Sequence, residues 1–134
     1  MDDVRAKAGA TDYHGEIHFS LQERTNDHVV SRMPVIPGML NPFGTVHAGA
    51  MLWLADVTAT VLALGSTELS TDGKGFPLAI NLNANLIGNL RDGEVKAEAR
   101  FVRRGRRVTI VRTVVTDKDD QVLAEVTTTH IPAI

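Results

Sequence analysis

The segment from Asn41 to Thr60, NPFGTVHAGAMLWLADVTAT, constrains this chain more than any other. Pro42 and Gly44 keep its first part irregular. From Ala48 onward Met51, Leu52, Trp53, Leu54, Val57 and Val61 leave no polar side, a pattern that predicts a helix buried almost all round. Gly65 is a natural C-terminal stop, which places the helix over roughly 48–64. Asp56 lies inside it and is the only charged side chain between His47 and Glu68. An isolated ionised group in apolar surroundings is costly unless it is compensated or used. Asp56 is therefore the first candidate for chemistry, set against the structural alternative of a carboxylate that caps a loop or pairs with an arginine.

The rest of the chain reads as strands. Residues 16–23 alternate, with Ile17, Phe19 and Leu21 on one side, and residues 28–35 suit a returning edge strand in which Pro34 is tolerable. Beyond a polar loop at Thr71 to Lys74 the pattern turns to period two. Leu78, Ile80, Leu82 and Leu86 share a face; Asp92-Gly93 makes a turn; Val95, Ala97, Ala99 and Phe101 continue on the next strand. Gly105 breaks the run, residues 109–115 form a third long strand, and residues 122–131 a fourth. These four strands are expected as an antiparallel meander, curled around the one helix in an α+β domain.

A chain of 134 residues suits one domain, expected over 16–134 with a loose arm over 1–15. Fourteen basic against sixteen acidic residues give a net charge of -2, so no overall field favours nucleic acid or an anionic membrane. The absence of cysteine excludes disulfides, thiolate catalysis and cysteine metal sites. The N-terminal MDDVRAKAGATDYHG has no apolar run, so neither a signal peptide nor a membrane anchor is expected and the expected location is cytoplasmic. His14 and His18 would lie about 13 Å apart on an extended strand, which argues against a metal set with His28. No metal and no cofactor are expected. Nucleotide-binding glycine loops and the Gly-x-Ser-x-Gly elbow are also missing.

Asn41, Gly44, His47, Gly49 and Asp56, followed by four strands and the segment Arg103-Arg104-Gly105-Arg106-Arg107, resemble the hotdog-fold acyl-CoA thioesterases of the phenylacetic-acid-degradation type. The resemblance covers about residues 16–131. It implies a curved antiparallel sheet wrapped around one central helix, hydrolysis of an acyl-CoA, and an active site shared between the protomers of a homodimer. It also implies that Asn41 positions the attacking group and that His47 shapes the oxyanion loop. The chain departs from the family in three places. His47-Ala48-Gly49 stands where His-Gly-Gly is usual, Ala79 where a Ser or Thr is common, and Gly88-Asn89 where Arg-Pro is common.

Physical argument supports parts of this. Amides at a helix start lack intrahelical partners and carry the positive end of the dipole, so those of Ala48 and Gly49 suit an oxyanion. Asp56 would act either as general base for water or as a nucleophile, and both roles require it ionised. Eight residues of helix separate Ala48 from Asp56, about 12 Å, too far for one chain to bring both to one carbonyl carbon. Two antiparallel helices in a two-fold dimer would unite them, and association of two dimers into a tetramer stays open. Thr60 lies one turn beyond Asp56 and either orients the water or bonds back to its own helix. Asn41 and His47 have bland alternatives as turn and helix-entry residues.

Arg100, Arg103, Arg104, Arg106, Arg107 and Arg112 concentrate positive charge around Gly105, where they would meet CoA phosphates or form a solvated hairpin end. Two other functions compete with hydrolysis: non-catalytic binding of acyl-CoA, and a hotdog dehydratase or hydratase, for which Pro37-Gly38-Met39-Leu40 offers a superficial match.

Overall fold

The computed structural model describes residues 12–134. Most of the arm expected over 1–15 lies outside them, and residues 12–15 have no regular secondary structure. Six strands and one α-helix follow: β1 (Ser20–Arg24), β2 (His28–Pro34), α1 (Ala48–Leu64), β3 (Pro77–Leu86), β4 (Glu94–Arg104), β5 (Thr109–Thr116) and β6 (Val122–Pro132), with a 3-10 turn at Pro37–Met39. The strands form one antiparallel sheet in the order β1-β2-β4-β5-β6-β3.

This order corrects two expectations. β2 is an interior strand, paired with β1 on one side and with β4 on the other. Pro34 is tolerated because it stands at the end of the strand opposite Glu94. The meander is confined to β4, β5 and β6, because β3 does not pair with β4. It crosses to the far side of the sheet and lies along β6, with Leu78 opposite Ile131 and Leu86 opposite Ala124. The amides of Ile87 and Gly88 both donate to the Leu123 carbonyl, at 2.8 and 3.0 Å, so the chain leaves β3 along β6 rather than folding back on itself. Alternation along a strand reveals which residues share a face, but the neighbouring strand depends on the path of the connection.

The concave face of the sheet holds α1. Met51, Leu54, Ala55, Ala59 and Leu62 are buried against Met33, Val95, Val111, Val115 and Val126. Ala97, Ala99 and Ala124 supply little bulk where helix and sheet meet, which lets the helix lie close. One polar link crosses this core. Ser31 Oγ and Thr58 Oγ1 are 2.8 Å apart, and Thr58 donates to the Leu54 carbonyl at 2.6 Å, which makes Ser31 the donor to Thr58. The helix ends where expected, at Gly65, whose φ of 58° suits a residue without a side chain and whose N–H donates to the Val61 carbonyl at 3.2 Å.

The expectation of burial on all sides fails within one protomer. Trp53 is 43% exposed, and Leu52, Val57, Thr60 and Val61 are only partly covered. The apolar face of β3 is similarly open, with Leu78, Ile80, Leu82 and Leu86 exposed on a strand whose outer edge has no partner among the described residues. Among the described residues no helix is long and apolar enough to cross a membrane.

Candidate active site

Asp56 lines a cavity of about 470 Å³ between the second half of α1 and the start of β3, together with Thr60, Leu64, Phe76, Pro77 and Ala79. It is the one charged residue in that lining. Its Oδ1 is sealed from solvent and has no hydrogen-bond partner among the described residues, which leaves Oδ2 as the oxygen that can face the cavity. An acceptor-only group held this way keeps its lone pairs for something outside the chain's own hydrogen bonds. Thr60 shares the cavity and makes no hydrogen bond among the described residues; Thr58, not Thr60, bonds back to the helix. Ala79, the departure from Ser or Thr, lies on the same wall.

The other expected site residues stand at the opposite end of α1. Asn41 ties its own loop: Oδ1 accepts from the amides of Phe43 and Thr45 at 2.9 and 3.1 Å, and Nδ2 donates to Thr45 Oγ1 at 2.7 Å. His47 is the exposed N-cap and makes no side-chain cap bond. Ala48 and Gly49 are exposed too, and a side chain added at Gly49 would meet nothing within 4 Å. With no cap in place, the first amides of the helix remain available to an external acceptor. One chain therefore brings Asp56, Thr60 and Ala79 together and keeps Asn41, His47, Ala48 and Gly49 apart from them.

Two residues to which sequence reasoning assigned no part in the site shape these regions. Asn89 clasps the loop before the helix: Oδ1 accepts from the Val46 amide at 3.1 Å and Nδ2 donates to the Val46 carbonyl at 2.9 Å. The departure at Gly88-Asn89 thus has a structural role at the helix entry. His130 is the second. It is 1% exposed, opposite Ala79 in the β3–β6 register, with Nε2 2.8 Å from Thr128 Oγ1. Burial pushes its imidazole below the ordinary value, while the Pro77 backbone and the Asp56 carboxylate pull the other way. The signal was present in the sequence: His130 has the same parity on β6 as the buried Ala124, Val126 and Thr128, so a titratable group occupies a core-facing position.

The six arginines do not act alike. Arg100 pairs with Glu98 at 2.8 Å and Arg112 with Glu125 at 3.0 Å. Arg104 donates to the Asn26 carbonyl at 3.2 Å and covers the Phe101 ring at 4.4 Å from its centroid. Arg103, Arg106 and Arg107 are exposed and have no ion pair or hydrogen bond among the described residues. At Gly105 an added side chain would collide with the Val108 carbonyl, so the tight turn between β4 and β5 requires glycine. No group of three or more metal-ligating side chains occurs among the described residues.

A sheet curved around one helix, with a lone carboxylate facing a cavity on that helix, defines the class. The chain belongs to the thioesterase superfamily, whose family model matches residues 43–124. ComA2 of Bacillus subtilis, provisionally named an esterase, is 29% identical over 101 residues, which cover 75% of this chain and 78% of that protein. The 1,4-dihydroxy-2-naphthoyl-CoA hydrolase of Escherichia coli K12 is 29% identical over 82 residues, 61% of this chain and 57% of the hydrolase, so the match spans little more than half of that enzyme's length. Among solved structures, a mutant of the thioesterase SAV0944 from Staphylococcus aureus has a TM-score of 0.76 at 28% identity, covering 87% of this chain and 93% of that one. The hotdog fold expected from the sequence is the fold observed.

Proposed function

We propose that the protein hydrolyses an acyl-CoA thioester to a carboxylic acid and free coenzyme A, in sites built between two protomers. The observation that carries this reading is Asp56, the one charged group lining an otherwise largely apolar cavity, with one oxygen sealed and without a partner among the described residues and the other free to meet a substrate or water. Hydrolysis of a thioester needs a base or nucleophile on one side of the carbonyl and donors on the other. Asp56 of one protomer supplies the first, and the uncapped amides of Ala48 and Gly49 of its partner the second.

In the base route, Asp56 takes a proton from water as the water oxygen bonds to the carbonyl carbon. The amides stabilise the oxyanion, and its collapse breaks the C–S bond and releases CoA thiolate. In the nucleophile route, the carboxylate oxygen itself attacks, and water then hydrolyses the resulting anhydride. Single turnover in isotopically labelled water separates them, since label found in Asp56 requires the anhydride. Thr60 orients the attacking water. Asn41 and His47 hold the oxyanion loop in shape, and the hydrogen bonds of Asn41 within that loop support such a part.

The homodimer is supported by what one protomer leaves open. Pairing β3 with its two-fold mate would cover Leu78, Ile80, Leu82 and Leu86 and extend the sheet, while Trp53 and the open face of α1 meet the partner helix. CoA phosphates would be met by the segment Arg103-Arg104-Gly105-Arg106-Arg107, in which Arg103, Arg106 and Arg107 are free of protein partners among the described residues. The hydrolase name of the E. coli relative supports an acyl-CoA substrate. Val57, Val61, Leu64 and Phe76 in the cavity wall suit an apolar acyl group.

Thiol release from a panel of aromatic and aliphatic acyl-CoAs tests the reading, with wild type beside Asp56→Asn. The substitution is expected to lower turnover by about 10²–10⁴-fold while folding and dimerisation persist. A wild type that binds acyl-CoA but releases no thiol from any member would return the protein to the binding reading.

A further inference from the structure

Two of the buried polar atoms left without partners among the described residues are Asp56 Oδ1 and His130 Nδ1. They belong to neighbouring groups. His130 stands opposite Ala79, Ala79 lines the Asp56 cavity, and Pro77 lines both that cavity and a smaller one of about 170 Å³ that His130 itself lines. A histidine retained only for packing would have both ring nitrogens satisfied or be replaced by an apolar residue at no cost in hydrogen bonds. Here, among the described residues, only Nε2 has a partner, Thr128. The Pro77 backbone favours the protonated ring, yet Nδ1 has no hydrogen-bond partner among the described residues.

We propose that His130 is a positioning residue for Asp56, holding the buried Oδ1 so that Oδ2 stays aimed into the cavity. In this arrangement the hydroxyl of Thr128 donates to Nε2, which puts the ring proton on Nδ1, and Nδ1–H donates toward Oδ1 through one bound water. A carboxylate set in an apolar wall thereby gains a donor, and its rotation about the side-chain bond is restricted. This rests on the reading of Asp56 as the reacting carboxylate.

The charged and titratable groups around the ring are few. Asp56 of α1 acts on it electrostatically. Arg106, in the β4–β5 connection, lines the smaller cavity beside it; Pro77 and Ala79 of β3, Thr109 of β5 and Thr128 of β6 carry no charge. The preference of His130 for the neutral form agrees with a ring that acts as donor to a carboxylate rather than as its counter-ion.

Two measurements on the full chain decide the matter. The first follows the His130 imidazole by NMR titration in wild type and in Asp56→Asn. Its midpoint is expected to fall by about half a pH unit or more in the variant, because the carboxylate favours the imidazolium; an unmoved midpoint overturns the proposal whatever the enzyme's activity. The second compares pH profiles of kcat/KM for wild type, His130→Phe and His130→Asn, using the acyl-CoA hydrolysed fastest. His130→Phe is expected to move the acid limb up by about one pH unit and to lower kcat about tenfold, with KM changed less than about twofold. His130→Asn, whose amide reaches the place of Nδ1, recovers part of both. An unmoved acid limb in His130→Phe makes His130 a packing residue only. Should that variant fail to fold, His130→Asn and the titration still decide. Should wild type hydrolyse nothing, the thioesterase reading falls while the titration still tests the link between the two residues.

Discussion

At the scale of single residues, Asp56 of α1 and the buried His130 of β6 stand out. Asp56 has an oxygen with no partner among the described residues, and His130 is a titratable group at a core position. His130 also leaves a mark on stability. Its folded-state pKa lies below the ordinary value near 6.5, so the unfolded chain binds the proton more readily than the folded one. The contribution of the neutral ring is fully present above about pH 6.5 and is lost as pH falls from there toward the folded-state pKa. Thermal unfolding between pH 8 and 5 is expected to show a steeper fall in Tm for wild type than for His130→Phe, and equal slopes would show that the imidazole carries no proton linkage. Asp56 was legible in the sequence because charge is absent around it for eight residues on one side and eleven on the other. His130 was equally visible by parity, but its significance depends on the neighbour that β3 brings to it.

At the scale of elements, α1 organises the domain. Its length and its glycine stop followed from composition and periodicity alone, whereas which of its apolar residues face the sheet did not, because they lie on every side of the helix. Leu54 is fully buried at the centre of the helix–sheet contact, and Leu54→Ala is expected to cost about 2–5 kcal/mol in denaturant unfolding. A loss well under 1 kcal/mol would mean that the helix is not clamped against the sheet as described. The strands were legible individually and within a few residues of their ends, since each of β3 to β6 carries its own alternation. Their pairing was not. Asp92-Gly93 suggested a hairpin between β3 and β4, yet the connection runs from the β6 side of the sheet to the β2 side, with Gly88 close against Val122 and Leu123 and Asn89 bound to Val46. Those contacts join residues more than thirty positions apart, and no local pattern encodes them.

At the scale of the whole molecule, the exposed faces of α1 and β3 suggest that one protomer is half of the working unit. Ile80 is 57% exposed on the open edge of β3. Ile80→Lys places a charge on that surface and is expected to shift the protein toward monomer in light scattering, with turnover lost in proportion to the dimer lost and far-ultraviolet dichroism preserved. A variant that stays dimeric and active would place the interface elsewhere. By itself the sequence determined the α+β class, the single apolar helix, the strand set and the isolated carboxylate, because each is written in local periodicity and in the cost of burying charge. Only the tertiary structure decided that β3 lies beside β6, that Ala79 lines a cavity with Asp56 while standing opposite His130, and that Asn41 and the helix start stand apart from them. Those are facts of chain path and of contact between distant segments, and periodicity, which reports only which way a side chain faces, carries no information about what it faces.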